Sequence, residues 1–266
     1  METWRLITDG PAEGSWNMAV DEALLYLAQA GARTPILRFY SWSQPTLTIG
    51  RLQKTGDGLN LGHIAAMGIP VVRRVTGGRA LLHWREVTYS MVIPSSSAAF
   101  GSMRQVYSLA AGAIGRALGE MGVAVDRPMD GDGGYALSSA CLATRTGFEI
   151  SAGGRKVAAC AQRRLKNAVM QHGSIFLSIP WDLHLNCFLW RDEDERKKTA
   201  GGMAGLEEMA PGISAEALTR RITAAFEETV SIRLEPSSLD GAEGAAAEEA
   251  AARIKTGQAS LPSAVS

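Results

Sequence analysis

Residues 103–121 carry the strongest helical periodicity in the chain. Their apolar side chains recur about every 3.6 residues, which places them on one face of a helix: Tyr107, Ala110, Ala111, Ile114, Leu118 and Met121. A helix with a single apolar stripe must bury that stripe against another element. Many of the other patterned segments look like short strands, so the chain combines strands with a few long helices.

Strand patterns flank this helix on both sides. Strand candidates occur at residues 36–42, 46–53, 71–74, 87–93, 148–151, 155–163 and 168–179. Further helices are predicted at residues 15–30, with Ser15 as the N-cap, and after Ser214. The chain is therefore predicted to be α+β, with a mostly antiparallel or mixed sheet flanked by helices. Residues 1–234 would form one domain, and residues 235–266 an Ala/Glu-rich helix with a flexible tail.

The charge balance limits the classes of partner. Lys plus Arg and Asp plus Glu each total 27, so there is no global basic field to attract nucleic acid. No run approaches the roughly 18 apolar residues of a membrane span, and the N-terminus lacks the pattern of a signal peptide. The three cysteines, Cys141, Cys160 and Cys187, are too widely spaced for a metal-ligand motif. We expect a cytoplasmic protein with free thiols and no metal, nucleic-acid or membrane partner.

A loop that combines glycines and basic residues follows one predicted strand. Gly77 and Gly78 would let the backbone approach a ligand closely, and neighbouring guanidinium groups offer charged donors. Those groups belong to Arg73, Arg74 and Arg79. The same residues also fit a tight glycine turn with solvated arginines, and one glycine pair does not decide between the two. His83, taken alone, is more typical of a structural histidine.

Two further residues have chemical potential. Lys156 follows a predicted Gly-Gly hairpin turn, where its ammonium could stabilise negative charge on a carbonyl or phosphate oxygen. An exposed hairpin lysine is the alternative. Cys141 follows a segment rich in Gly, Asp and Ser, predicted to be an exposed loop, and could be a thiolate nucleophile. A small buried hydrophobe is the usual role of a cysteine, and it fits Cys160 and Cys187 better.

Five segments occur in the order found in one enzyme family. They are residues 17–24, 37–42, 73–83, 154–158 and 171–174. Together they resemble the lipoate–protein ligase and octanoyltransferase family, over residues 4 to about 234. The resemblance implies that residues 1–234 form a catalytic domain like that of class II aminoacyl-tRNA synthetases and biotin synthetases. Arg79, the Ser-Ser-Ala-Cys segment ending at Cys141 and the lack of an accessory C-terminal domain make the cysteine-dependent transferases the more similar branch.

The resemblance also implies a reaction and a set of site residues. Cys141 would take an octanoyl group from octanoyl-acyl carrier protein as a thioester, with Lys156 assisting. A lysine of a lipoyl domain or of the glycine-cleavage H protein would then accept the group, and no cofactor would be required. By the same resemblance, the substrate-binding residues would be Arg73, Arg74, Thr76, Gly77, Gly78, Arg79, His83, Gly154, Ala158 and His172.

Two alternatives stay open at this point. An ATP-dependent lipoate–protein ligase would act through lipoyl-adenylate with ATP and Mg²⁺, and Cys141 would be incidental. A non-catalytic family member would hold lipoyl or carrier domains as a partner subunit, but it would have no need to keep Cys141 and Lys156.

We expect a monomer. The basic residues Arg163, Arg164 and Lys166 either dock acidic protein partners or form a solvated strand end.

Overall fold

The computed structural model describes residues 1–31, 33–126 and 150–256. Its strands are β1 (Glu2–Ala12), β2 (Ile36–Trp42), β3 (Thr46–Ile49), β4 (Val71–Arg73), β5 (Leu81–His83), β6 (Glu86–Pro94), β7 (Ile150–Ala152), β8 (Arg155–Arg164), β9 (Ala168–Phe176) and β10 (Ile232–Ser237). Its helices are α1 (Gly14–Ala30), α2 (Leu61–Ala66), α3 (Met103–Glu120), α4 (Trp181–Asn186), α5 (Glu193–Gly201), α6 (Ala215–Val230) and α7 (Gly241–Lys255), with a 3-10 turn at Leu206–Glu208.

The described strands form a large sheet and a small one. The large sheet has the order β10-β1-β2-β6-β9-β8-β7, in which β1 is parallel to β10 and β2 and the remaining pairs are antiparallel. The small sheet has the order β4-β3-β5, with β3 parallel to β4 and antiparallel to β5. The predicted α+β class, with a mixed and mostly antiparallel sheet flanked by helices, is confirmed.

The two faces of the large sheet differ in what covers them. Along β6, Tyr89 and Met91 pack with the apolar stripes of α3 and α6 in the main core. Side chains alternate along a strand, so Val92 points the other way and packs with residues of α1. Burial of each large apolar side chain contributes roughly 1.5–3 kcal/mol, so these two layers hold the helices to the sheet.

The helices begin largely where their sequence signals predict. Ser102 and Gln105 form a capping box at the start of α3, and the Ser214 side chain accepts from the Ala217 amide at the start of α6. The prediction for Ser15 is wrong in detail. Glu13 occupies the N-cap position of α1, and Ser15 lies inside the helix.

Two strands end earlier than their sequence patterns predict. The segment predicted as a strand over residues 46–53 ends at Ile49. The carbonyls of Gly50, Arg51 and Gln53 accept hydrogen bonds from the Arg73 guanidinium instead of pairing with a strand. The segment predicted over residues 168–179 ends at Phe176, and it runs without interruption through Gly173.

The predicted hairpin between β7 and β8 is confirmed. Its turn residues, Gly153 and Gly154, have φ angles of +57° and +74°, in the left-handed region that favours glycine. The Asp126 carboxylate accepts hydrogen bonds from both glycine amides, at 3.1 and 2.8 Å. Gly154 is thereby used in the turn itself.

The C-terminal helix α7 packs on α1. Arg253 bonds to Glu22 at 2.7 Å, and Glu243 at the start of α7 pairs with Arg5 of β1. The predicted boundary between residues 234 and 235 falls within β10, and a division of the chain there stays a prediction. Residues 257–266 of the predicted tail lie outside the described residues. None of the described helices combines the length and apolar character that a bilayer crossing requires.

Candidate active site

Two cross-strand rows on the α1 side of the large sheet carry buried polar side chains. The strand register aligns Arg38, Ser90, His172 and Ala161 in one row, and Tyr40, Thr88, Ser174 and Ala159 in the next. Side chains within a row point to the same face, so these polar groups meet one another there. All of them except the two alanines carry polar or charged groups, which burial forces into hydrogen bonds.

Asp21 of α1 is the centre of the first network. Its Oδ1 accepts from Arg38 and Ser90, both at 2.9 Å, and its Oδ2 accepts from the Tyr40 hydroxyl at 2.9 Å and lies 3.0 Å from His172 Nδ1. His172 Nε2 lies 2.7 Å from the Thr76 hydroxyl. The network therefore joins α1, three strands and the loop after β4.

The charges in this network are set by burial and by partners. Burial alone would raise the pKa of Asp21, but the hydrogen bond from His172 and the charge of Arg38 outweigh it and lower that pKa. Burial lowers the pKa of His172 in spite of Asp21. We therefore assign an ionised Asp21 and a neutral His172 at pH 7.

Glu86 and His83 form the second network. Glu86 Oε1 lies 2.7 Å from His83 Nδ1 and accepts from Thr88 and Ser174 at 2.7 and 2.6 Å. The other ring nitrogen, His83 Nε2, lies 2.7 Å from the Thr48 hydroxyl. Because β5 belongs to the small sheet and β6 and β9 to the large one, this network links the two sheets.

Two buried polar atoms in this area have no hydrogen bond to a described residue. They are Glu86 Oε2 and His184 Nε2. Burial lowers the pKa of His184 to about 4, although Glu86 opposes the shift. His184 is thus a neutral imidazole at pH 7.

The loop after β4, residues 74–79, is called the glycine loop. Arg73 and Arg74, where β4 ends and this loop begins, both bond to protein groups. Arg73 Nη1 donates to the carbonyls of Gly50, Arg51 and Gln53. The buried Arg74 donates to the Gly77 and Arg79 carbonyls at 2.8 and 2.7 Å and to the Thr48 hydroxyl at 3.1 Å. In this structure both guanidinium groups therefore hold the loop in shape.

A narrow cavity lies between the large sheet and the small sheet with its loop. Ala159 and Ala161 of β8 leave this space open because their side chains are small. The cavity is lined by Met18, Tyr40, Thr48, Arg74, Leu81, His83, Thr88, Ala159, Cys160, Ala161, His172, Gly173 and Ser174. Since the polar lining groups named above already bond to one another, the space suits an apolar ligand.

Lys156 does not line this cavity, but it lies on β8 three residues before Ala159, which does. A β-bulge leaves Val157 without a partner on β7, and Val157 and Ala158 both pack into the main core. The bulge therefore turns Lys156 toward the face that carries Ala159. On its other side, Lys156 pairs with Met203, which packs against Leu81 and Ala159 of the cavity wall. The lysine is only 3% exposed.

The structure brings some of the predicted site residues together. Arg74, His83 and His172 line the cavity, Thr76 bonds to His172, and Lys156 lies beside the cavity wall.

Other predicted site residues lie apart from the cavity. Gly77, Gly78 and Arg79 line a separate open groove, together with Arg51, Arg163 and Arg164. Ala158 faces the main core, and Arg73 and Gly154 serve the local structure described above. Cys141 lies outside the described residues.

Two of the three basic residues near the end of β8 bond to backbone carbonyls. Arg163 donates to the Val75 carbonyl at 3.0 Å, and Arg164 donates to the Gly101 carbonyl at 2.6 Å and lies over the Phe100 ring. Lys166 is exposed. These contacts do not decide between the docking and the solvated-end interpretations.

Several residues of the site were missed in the sequence. They are Asp21, Arg38, Thr48, Glu86 and Ser174. Cys160, for which the sequence predicts the role of a small buried hydrophobe, is half-buried and also lines the cavity. One available signal was Asp21, a charged residue that directly follows the apolar Val20 within the predicted helix of residues 15–30. A second was Arg38, which lies within an apolar strand. A buried charge requires a partner of opposite charge, and these two are such a pair. Within residues 1–31, 33–126 and 150–256, no group of His, Cys, Asp and Glu is arranged to hold a metal ion.

Comparison with known proteins identifies the family. The model of the lipoyl protein ligase A/B catalytic domain matches residues 13–227. The chain belongs to this family. It is 35% identical to octanoyltransferase LipM of Kyrpidia tusciae, over 95% of this chain and 96% of that protein. It is 31% identical to octanoyltransferase LipM of Staphylococcus aureus, over 93% and 94% of the two chains.

Solved structures agree on the fold. Lipoate–protein ligase A bound with ATP superposes with a TM-score of 0.77 at 22% identity, covering 95% of both chains. A bipartite lipoate–protein ligase from Thermoplasma acidophilum gives a TM-score of 0.79 at 21% identity, over 95% of this chain and 93% of that one. The family predicted from the sequence is confirmed. The transferase name of the curated relatives favours the transferase prediction over the ligase alternative.

Proposed function

We propose that this chain moves an octanoyl group from acyl carrier protein to a lysine of a lipoyl domain or of the glycine-cleavage H protein, by way of a thioester on Cys141. The observation that carries the proposal is a buried lysine, Lys156, beside a cavity suited to an apolar chain. The curated relatives named octanoyltransferase support the same reaction.

The cavity supplies binding energy for the acyl chain. Each methylene transferred from water to an apolar site contributes about 0.8 kcal/mol, so an eight-carbon chain gains several kcal/mol. The distance along β8 from Lys156 to Ala161 is about 17 Å, at roughly 3.3 Å per residue. With the carbonyl near Lys156, the chain would lie along Ala159 toward Ala161 and His172.

The first step forms the thioester. The Cys141 thiolate attacks the thioester carbon of the donor, and the carrier protein leaves as its own thiolate, which takes up a proton. The Lys156 ammonium stabilises the oxyanion that forms on the carbonyl oxygen. No external energy source is required, because one thioester replaces another.

The second step forms the amide. The neutral amine of the acceptor lysine attacks the Cys141 thioester, the carbon–sulfur bond breaks, and the amine proton passes to the departing sulfur or to a base. The products are an octanoylated lysine and free Cys141. Lys156 stabilises the second oxyanion in the same position as the first.

ATP-free transfer tests this function directly. Octanoyl-acyl carrier protein and a lipoyl domain are incubated with the protein without ATP, and in a parallel reaction octanoic acid, ATP and Mg²⁺ replace the acylated carrier. Intact mass of the lipoyl domain should show one added octanoyl group in the first reaction and none in the second. Modification in the second reaction alone would establish the ligase instead. No modification in either would leave a non-catalytic binder.

A further inference from the structure

Asp21 has no task in the acyl transfer proposed above, although it is completely buried and hydrogen-bonded at both oxygens. Arg38 and Ser90 donate to Oδ1, and Tyr40 and His172 donate to Oδ2. Burying a carboxylate is costly unless it is paired and hydrogen-bonded, so this arrangement fixes the group firmly. Among the partners of Asp21, Arg38 also bonds to Asp9 of β1, and His172 is the one that reaches the loop after β4.

The contact with Asp21 determines how His172 meets the loop after β4. An ionised Asp21 accepts a hydrogen bond, so His172 Nδ1 carries the proton. In the neutral ring Nε2 is then an acceptor, and the Thr76 hydroxyl, 2.7 Å away, donates to it. The chain of hydrogen bonds therefore has one direction, from Thr76 through His172 to Asp21.

Thr76 connects two parts of the molecule that enclose the cavity. Its carbonyl accepts from the Arg51 amide at 2.8 Å, and the neighbouring Arg74 amide donates to Ile49 of β3, so the loop moves with the small sheet. His172 belongs to β9 of the large sheet. The Thr76 side chain thus joins the two walls of the cavity, and the contact of Arg163 with Val75 is a second link nearby.

We propose that Asp21, His172 and Thr76 are positioning residues. Their hydrogen-bonded chain, which we call the clasp, holds the glycine loop against the large sheet and sets the width of the acyl cavity. The inference rests on the proposed function only for the identity of the ligand. The Thr48–His83–Glu86 contacts join the same two sheets farther along the cavity. Loss of the Thr76 clasp should therefore loosen the loop without separating the sheets.

A pair of variants at Thr76 tests the clasp. Thr76→Val keeps the shape but removes the hydroxyl, whereas Thr76→Ser keeps the hydroxyl. Amide hydrogen exchange should become at least tenfold faster in residues 74–79 of Thr76→Val and should stay near the wild-type rate in Thr76→Ser. Thr229→Val, on the exposed side of α6, is the matched control for the chemical change. If Thr76→Val does not fold, Thr76→Ala provides the same comparison.

Binding of octanoic acid, measured by calorimetry, tests the role in acyl positioning. Thr76→Val should bind about tenfold more weakly than wild type, with Thr76→Ser restoring most of the affinity. Unchanged exchange in Thr76→Val overturns the clasp, whatever the function of the protein. Faster exchange with unchanged affinity overturns its role for the acyl chain. If wild type binds no octanoic acid while the exchange result holds, the acyl assignment of the cavity fails and the clasp remains.

Discussion

Replacement of Lys156 by methionine should lower ATP-free octanoyl transfer about 10³-fold, with the protein still folded. A preorganised cation beside the reacting carbonyl contributes to the rate because it stabilises the oxyanion in a site from which water is excluded. Lys156 meets this requirement, since it is 3% exposed and its backbone is fixed on both sides by β7 and by the Gly202–Ala204 segment. Methionine keeps the apolar stem of the side chain and removes the charge.

The matched control is Lys197→Met, which removes a lysine from the exposed surface of α5. That variant should retain transfer within about twofold, because surface substitutions away from the site have small effects. The initial rate of lipoyl-domain octanoylation gives the comparison, and thermal denaturation reports the fold. A loss of less than tenfold in Lys156→Met would show that the ammonium does not take part in the chemistry.

Replacement of Arg38 by methionine should lower the free energy of unfolding by about 3–5 kcal/mol. Removal of one partner from a buried ion pair leaves the other charge uncompensated. Arg38 is fully buried and bonds to Asp21 at 2.9 Å and to Asp9 at 2.6 Å. Since domains of this kind are stable by only about 5–15 kcal/mol, the loss is a large share of the total.

Urea denaturation of Arg38→Met measures this loss. Arg233→Met is the control, because Arg233 makes a surface pair with Glu235 and is 69% exposed. Exposed pairs contribute about 0–1 kcal/mol, so the control should unfold close to wild type. A loss below 1 kcal/mol in Arg38→Met would mean that Asp21 finds other compensation, such as uptake of a proton.

Local periodicity predicted most of the elements of the fold. The stripe of α3, the strand at Ile36–Trp42 and the hairpin before β8 are each specified by residues close together in the chain, so their patterns can be recognised directly. The cap at Ser214 and the Gly153-Gly154 turn are similarly local. The family resemblance added the order of these segments.

Local sequence patterns did not predict the buried polar side chains of the site. On β6, Glu86, Thr88 and Ser90 alternate with apolar residues, which is also the pattern of a strand with one face in water. Here the polar face is covered by α1 and the small sheet, and this covering depends on tertiary structure. Alternation therefore indicated the strand correctly but not that its polar side chains are buried and bonded to one another.

The orientation of Lys156 also could not be predicted from the local sequence. Regular alternation places residues 156 and 158 on one face of β8, and both were predicted as site residues. The bulge at Val157 separates them, so Ala158 enters the main core and Lys156 turns to the side of the cavity. Nothing in the local sequence specifies that bulge, which appears where the 202–204 segment replaces β9 as the neighbour of β8.

The thioester on Cys141 is the central claim, and intact mass spectrometry tests it most directly. The protein is mixed with octanoyl-acyl carrier protein, without ATP or acceptor, and its mass is recorded for wild type, Cys141→Ala and Cys187→Ala. Burial raises the pKa of the Cys187 thiol to about 11, so this cysteine is a poor nucleophile and a suitable control.

Wild type and Cys187→Ala should each gain one octanoyl group that hydroxylamine removes, and Cys141→Ala should gain none. An adduct that persists in Cys141→Ala, or octanoylation of the lipoyl domain at the wild-type rate by that variant, would contradict the thioester route.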